Sequence, residues 1–129
     1  MQTQKKLIST SSRFEREMAF SRAVVVENMV FVSGCTGYDY AADSLPEDVV
    51  TQTEQTFQNI IYALKEAGAS LQDVVRVTYI IPNPADIPLC AAVMRTYFQD
   101  VLPACTCYCA PLVNDALKIE IEVTAIKSK

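Results

Sequence analysis

Leu102–Ile126, LPACTCYCAPLVNDALKIEIEVTAI, is the stretch on which the reading of this 129-residue chain turns. Its first half carries Cys105, Cys107 and Cys109 at alternate positions; its second half carries Lys118, Glu120 and Glu122 at alternate positions. Successive side chains of a strand point to opposite faces, so each half presents a polar or reactive row backed by an apolar row. The pattern predicts two strands joined by a short connection. Paired as a hairpin, they would set the thiol row and the carboxylate row on one face.

Such a face could support three chemistries. A thiolate–zinc site needs sulfurs within roughly 4 Å of one another around a metal bonded at about 2.3 Å. Alternate positions of a strand lie roughly 6.5 to 7 Å apart, so no metal site is expected in the Cys row. A cysteine nucleophile needs a cation, a helix N-terminus or a base beside it. The chain has no His, which removes Cys–His and Ser–His catalysis. Arg22, Arg76 and Arg95 are the candidate cations, whereas neighbouring Glu side chains would raise a thiol pKa. The plainer alternative is packed or redox-sensitive cysteine. The carboxylates offer the third chemistry, since an acid facing a cleft can act as a general base or activate a water. Against that stands ordinary solvent-facing alternation of the KIEIE run.

Bulk properties narrow the class. The length predicts one domain spanning residues 1–129. Half the residues are hydrophobic, enough for a core with little to spare. The formal net charge is −4 and no basic run occurs, which argues against a nucleic-acid surface. No stretch reaches the roughly 20 apolar residues of a membrane span, and the polar N-terminus lacks a signal core. Five cysteines make an odd count, which fits reduced thiols and a cytoplasmic protein better than a disulfide framework.

Outward from the opening stretch, residues 1–12 read as a loose polar lead-in. Ala23–Glu27 and Met29–Ser33 are β-branched and aromatic runs flanking Asn28, a strand–turn–strand signal. Ser33-Gly34-Cys35-Thr36-Gly37 holds two of the chain's three glycines; it is either a place where a bound group lies against main chain or a strand end with a bulge. Residues 38–47 form a loop. Val50, Thr53, Phe57, Ile60, Ile61 and Leu64 recur at helical steps, so a helix is expected from Asp48, its N-cap, to Ala67, with Gly68 as its stop. Val74–Ile81 is a strand whose near-continuous apolar run suits a central position. A second helix runs from about Asp86 to Asp100, with Pro88 in its first turn and Cys90, Val93, Met94, Tyr97, Phe98 and Val101 as its stripe. Cys90 is expected as a small buried hydrophobe. The order β-β-α-β-α-β-β predicts an α+β two-layer domain, two helices on one face of a mixed sheet. The other face then needs a cover, for which homo-oligomerisation is the economical source.

Taken together, FSRAVVVENMVFVSG (Phe20–Gly34), QTEQTFQNIIYALKEAGASLQDVVRVTYII (Gln52–Ile81), LPACT (Leu102–Thr106) and KIEIEVTAI (Lys118–Ile126) resemble the Rid family, reactive intermediate deaminases also called the YjgF or endoribonuclease L-PSP family. The resemblance covers Phe20 to Lys127. It implies a chorismate-mutase-like fold, a homotrimer with clefts between subunits, and cofactor-free hydrolysis of small imines and enamines such as 2-aminoacrylate. Carried over residue by residue, Glu120 matches the water-associated Glu, Ser33 and Gly34 the Ser-Gly that borders the cleft, and Cys107 a cleft Cys. The departures lie at Cys105, where the active deaminases have the Arg that takes the substrate carboxylate; at Phe20, where they have a cleft Tyr; at Ala91, where they have an Asn; and at Cys35, where they have a Gln. A hydrogen bond to a charged group contributes about 1.5 to 3 kcal/mol, and Cys cannot replace a bidentate Arg contact. The resemblance with these departures implies a ligand that lacks a carboxylate. The functional readings are an imine or enamine hydrolase of that altered specificity, a non-catalytic trimer that binds or senses a small metabolite, and a thiol-based function using Cys35, Cys105 and Cys107.

Overall fold

A computed structural model describes residues 4–128. The elements are β1 (Lys5–Ile8), α1 (Arg13–Met18), β2 (Ala23–Val26), β3 (Met29–Cys35), α2 (Val49–Glu66), β4 (Val74–Ile80), α3 (Ile87–Phe98), β5 (Ala104–Tyr108) and β6 (Glu120–Ile126), with short 3-10 turns leading into β4 and α3. One six-stranded sheet runs in the order β1-β2-β3-β6-β4-β5. Among the described residues only the β4–β5 pair is parallel, so the sheet is mixed, as expected.

The helices form where periodicity places them. Asp48 accepts a hydrogen bond from the Thr51 amide at 2.9 Å and caps α2. Thr53, Phe57, Ile60 and Leu64 are buried along its inner side, with Val49 taking the first inner position in place of exposed Val50. Phe57 stacks on Tyr97 (ring centroids 4.4 Å apart) and meets Phe98 edge-on, which locks α2 to α3. Cys90 is a fully buried member of this core. The buried residues of α2 and α3 form one cluster with Val30, Val32, Val77, Tyr79, Ile121 and Val123 of the sheet. Both long helices therefore cover one face.

The other face is legible from the register. Leu7, Val24, Phe31, Thr124 and Arg76 stand in one lateral row, and Val26, Met29 and Ile126 in the next. Leu7, Phe31, Val75 and Ile126 are 56, 43, 44 and 42% exposed. An apolar sheet face left this open marks an interaction surface.

Two expectations need correction. The stretch read as a loose lead-in is ordered where it is described: Lys5–Ile8 pairs antiparallel with Ala23–Val26, and Ser12, 2% exposed, caps α1. Residues 1–3 of that lead-in lie outside the described residues. The polar character of Lys5 and Lys6 hides an edge strand that needs one apolar row only. The second correction concerns the opening hairpin. β5 and β6 do not pair; β4 lies between them, bonded to both. Eleven residues separate Tyr108 from Glu120, too long for a tight hairpin turn, and the apolar β4 claims the central place. Cys105 and Cys107 share a face with Val77 and Tyr79, hence with buried Val123 and Ile121. Glu120 and Glu122 register with Ile80 and Thr78 on the opposite face. The thiol and carboxylate rows thus face away from each other.

Candidate active site

The pocket that holds Glu120 opens at the β3 bulge. Val32 pairs with Val123 and Cys35 with Ile121, so β3 spends one residue more than β6 across this step. The extra residue lies at Ser33-Gly34. Glu120, the first residue of β6, lies flat against Gly34: a Cβ there would stand 2.6 Å from its Oε2. Of the two readings of this glycine pair, the bulge holds at Gly34, and the group lying against its main chain is the Glu120 side chain. Gly37 serves packing instead, since a Cβ on it would meet Gln52 Cα of α2 at 2.7 Å.

The rest of the lining comes from three segments. Phe14 and Met18 of α1, with Phe20 just beyond it, form one wall. Ala19 takes the left-handed conformation at the end of α1 (φ 57°) and turns the chain so that Phe20 and Arg22 enter the pocket. Thr36 and Tyr40 come from the loop after β3, and Val113 and Leu117 from the β5–β6 connection. Gln52 anchors both loops: its amide donates to Pro46 O (2.8 Å) and Ala116 O (3.0 Å), and its carbonyl accepts from the Lys118 amide (2.9 Å). Asn59 donates to Thr36 O and Tyr38 O. Gln52 thus holds the segment that leads into β6 and Glu120, and Asn59 holds the loop after β3.

Charge in the pocket is unevenly placed. Burial raises the Glu120 carboxyl above its ordinary range, Glu122 pushes it further, and Arg22 opposes them. Arg22 is 2% exposed. Its Nη1 donates to Gly34 O at 2.9 Å and lies 3.6 Å from Cys35 Sγ. Its Nε stands 3.5 Å from Glu15 Oε2, an ion pair without hydrogen-bond geometry. The Phe20 and Tyr40 rings lie 5.4 and 4.9 Å from the guanidinium carbon. Burial pushes the Cys35 thiol up to about 11 despite Arg22, so it stays protonated and unreactive at neutral pH.

The predicted site residues therefore divide into two groups. Phe20, Gly34 and Glu120 share one pocket, with Cys35 buried behind it. The Ser33 hydroxyl is turned aside, donating to Ser21 O at 2.6 Å. Cys105 lies elsewhere, in an apolar groove with Val77, Tyr79, Met94, Arg95 and Phe98 between α3 and β5. Cys107 is exposed two residues along β5, its thiol raised by burial and by Cys105 and Cys109. Ala91 is half-buried on α3. Within one chain the second group sits on the other side of the sheet from Glu120.

Arg22, Tyr40 and Gln52 were not singled out as site residues from sequence. Arg22 was one of three candidate cations that spacing could not rank. Gln52 carried a usable signal: with Thr53, Thr56 and Asn59 it puts polar groups on the buried side of α2, where each needs a partner.

The mixed sheet with two helices on one face is the fold of YjgF/UK114 proteins of known structure. A YjgF/YER057c/UK114-family member from Mycobacterium tuberculosis superposes with a TM-score of 0.87 at 29% identity, over 95% of this chain and 99% of that one. RidA from an Antarctic Psychrobacter gives 0.86 at 28% identity, over 94 and 98%. The chain belongs to the endoribonuclease L-PSP family, the Rid/YjgF proteins, whose family model matches residues 10–127. Among curated relatives, the 2-iminobutanoate/2-iminopropanoate deaminase of Rattus norvegicus is 33% identical over 124 residues, 95% of this chain and 90% of its own length. That of Dermatophagoides farinae is 32% identical over 120 residues, 92 and 93%.

Proposed function

We propose that this protein hydrolyses a small imine or enamine without a carboxylate, in clefts formed between the subunits of a homotrimer. Glu120 carries the reading: it is a half-buried acid lying against Gly34, in a pocket otherwise walled by Phe14, Met18, Phe20, Val113 and Leu117. Its raised carboxyl pKa brings it nearer to neutrality, where a general base works best. Glu120 takes a proton from water as the oxygen bonds to the C=N carbon. That proton goes to the nitrogen, which takes the C=N π pair, to give a carbinolamine. Glu120 then takes the carbinolamine hydroxyl proton as the C=O bond forms and passes it to the nitrogen as the C–N bond breaks, releasing a carbonyl compound and ammonia. An enamine first moves its N–H proton to the β-carbon to become the imine. The reaction is redox-neutral and consumes only water, so no cofactor enters the scheme.

The substrate class follows from charge. Arg22 is committed to Gly34 O and Glu15, and the position of the deaminases' carboxylate-binding Arg is Cys105. Among the residues lining the Glu120 pocket, a substrate carboxylate would meet Glu120 with no cation other than the committed Arg22 to hold it. Net charge −4 and an acid in the pocket also leave RNA phosphates unbalanced, so the ribonuclease in the family's name is not assigned here. Trimer formation is supported by the open apolar sheet face and by the division of site residues between the two faces. The Cys105, Cys107 and Ala91 group reaches Glu120 only from a second copy. Five unpaired thiols suit a reducing cytoplasm.

The second reading, a trimer that binds a metabolite without turnover, draws on Phe20, Ala91 and Cys105 having replaced three polar groups. Purified protein offered neutral imines separates the two. Faster ammonia release, lost in Glu120→Gln, supports the hydrolase; ligand-dependent thermal stabilisation without product supports the binder.

A further inference from the structure

We propose that Arg22 is a positioning residue for Glu120: with Glu15 it forms a buried charge pair that shapes the Gly34 main chain under Glu120 and governs how readily that carboxylate ionises. The observation is a continuous chain of contacts from the N-terminal segment to the pocket. Glu15, 7% exposed on α1, accepts from the Thr10 amide at 3.1 Å and from the Thr10 hydroxyl. Its Oε2 faces Arg22 Nε at 3.5 Å. Arg22 Nη1 donates to Gly34 O at 2.9 Å, and Glu120 lies against Gly34. Two charges thus flank one glycine, Arg22 from beneath and Glu120 from the pocket side.

A buried guanidinium is costly unless paired and hydrogen-bonded, and a bulge could be held more simply by backbone alone. Arg22 is 2% exposed and its Nη1 is committed to Gly34 O, so its charge acts first on what lies beside it. The groups facing Glu120 are Glu122 on β6, Arg22 before β2 and Cys35 on β3; the last is a neutral thiol. Tyr40, from the loop after β3, has its phenol pushed up by burial and is also neutral. Arg22 is therefore the cation that favours the ionised form of Glu120, and Glu15 moderates it. The two members of the pair must act on Glu120 with opposite sign.

This inference rests on Glu120 being the working acid of the proposed site, but its test does not require turnover. The Glu120 carboxyl is titrated by carbon-13 NMR in the intact protein, in Arg22→Gln, Arg22→Lys and Glu15→Gln. Arg22→Gln is expected to raise the midpoint by roughly half a unit or more, and Glu15→Gln to lower it. Arg22→Lys is expected to keep it near the parent value. A merely structural role would disturb the bulge alike in all three and give no reversal of sign. An unmoved midpoint, or shifts of the same direction in Arg22→Gln and Glu15→Gln, overturns the proposal. Should Arg22→Gln not fold, Glu15→Gln decides alone: a lowered midpoint supports the pair, an unchanged or raised one overturns it. Absence of imine hydrolysis in the parent protein would reject the hydrolase reading and leave this result standing.

Discussion

Glu120 and Gly34 are coupled by contact, and each predicts something of the other. A methyl group at position 34 would stand 2.6 Å from Oε2 and 2.7 Å from Cδ of Glu120, so one of the two must move. The side-chain end is the softer partner. Gly34→Ala is therefore expected to fold with a thermal midpoint near the parent value and to lose roughly 100-fold in hydrolytic rate, the cost of a displaced reacting group. Full activity in that variant would dissociate the contact from function. The raised Glu120 carboxyl also has a stability consequence. The folded protein holds this proton more tightly than the unfolded chain. The group's contribution is complete below the unfolded value of about 4.3 and is lost as pH rises through the higher folded value. Denaturant titrations from pH 4 to 7 should show stability declining more steeply in the parent than in Glu120→Gln; equal slopes would contradict the shift. At this scale the sequence named Phe20, Gly34 and Glu120, which line one pocket. It offered Arg22 only as one of three candidate cations, because a lone Arg before a strand gives no sign of which way it points.

Among the elements, α2 and α3 were readable almost to their ends because their apolar residues recur at 3.6-residue spacing and Asp48 supplies a chemical start signal. Phe57 is fully buried between Tyr97 and Phe98. Truncating it to Ala leaves a cavity in the α2–α3 contact, for an expected loss of about 3 to 5 kcal/mol by chemical denaturation; a loss under about 1 kcal/mol would mean the helix pair closes up around the gap. Pairing was less readable than elements. Alternation in Leu102–Ile126 correctly marks two strands but says nothing about which strand lies between them. The 11-residue spacer was the available clue, since chain reversal by a tight turn needs far less. β1 was missed for a related reason: an edge strand with one buried position, Ile8, carries little pattern.

For the molecule as a whole, one chain presents two groups of candidate site residues on opposite sides of the sheet and an exposed apolar face. The trimer reading joins these: the open face supplies the association energy and association brings Cys105 and Cys107 of one copy toward Glu120 of another. Light scattering should then give three times the chain mass of 14.3 kDa. Phe31→Arg, at a 43% exposed position of the open face, should yield folded monomers without activity. A parent protein that is monomeric yet active would refute the shared cleft. This level was the least legible in sequence, because an apolar strand row looks the same whether a helix or another subunit covers it.

The most direct test compares two imines that differ only in a carboxylate on the imine carbon, hydrolysed by the parent protein and by Glu120→Gln. The predicted result is acceleration of the carboxylate-free imine, with a 10²- to 10⁴-fold loss in Glu120→Gln and little effect on the acidic one. Preference for the carboxylate-bearing imine, or acceleration of neither, would contradict the account.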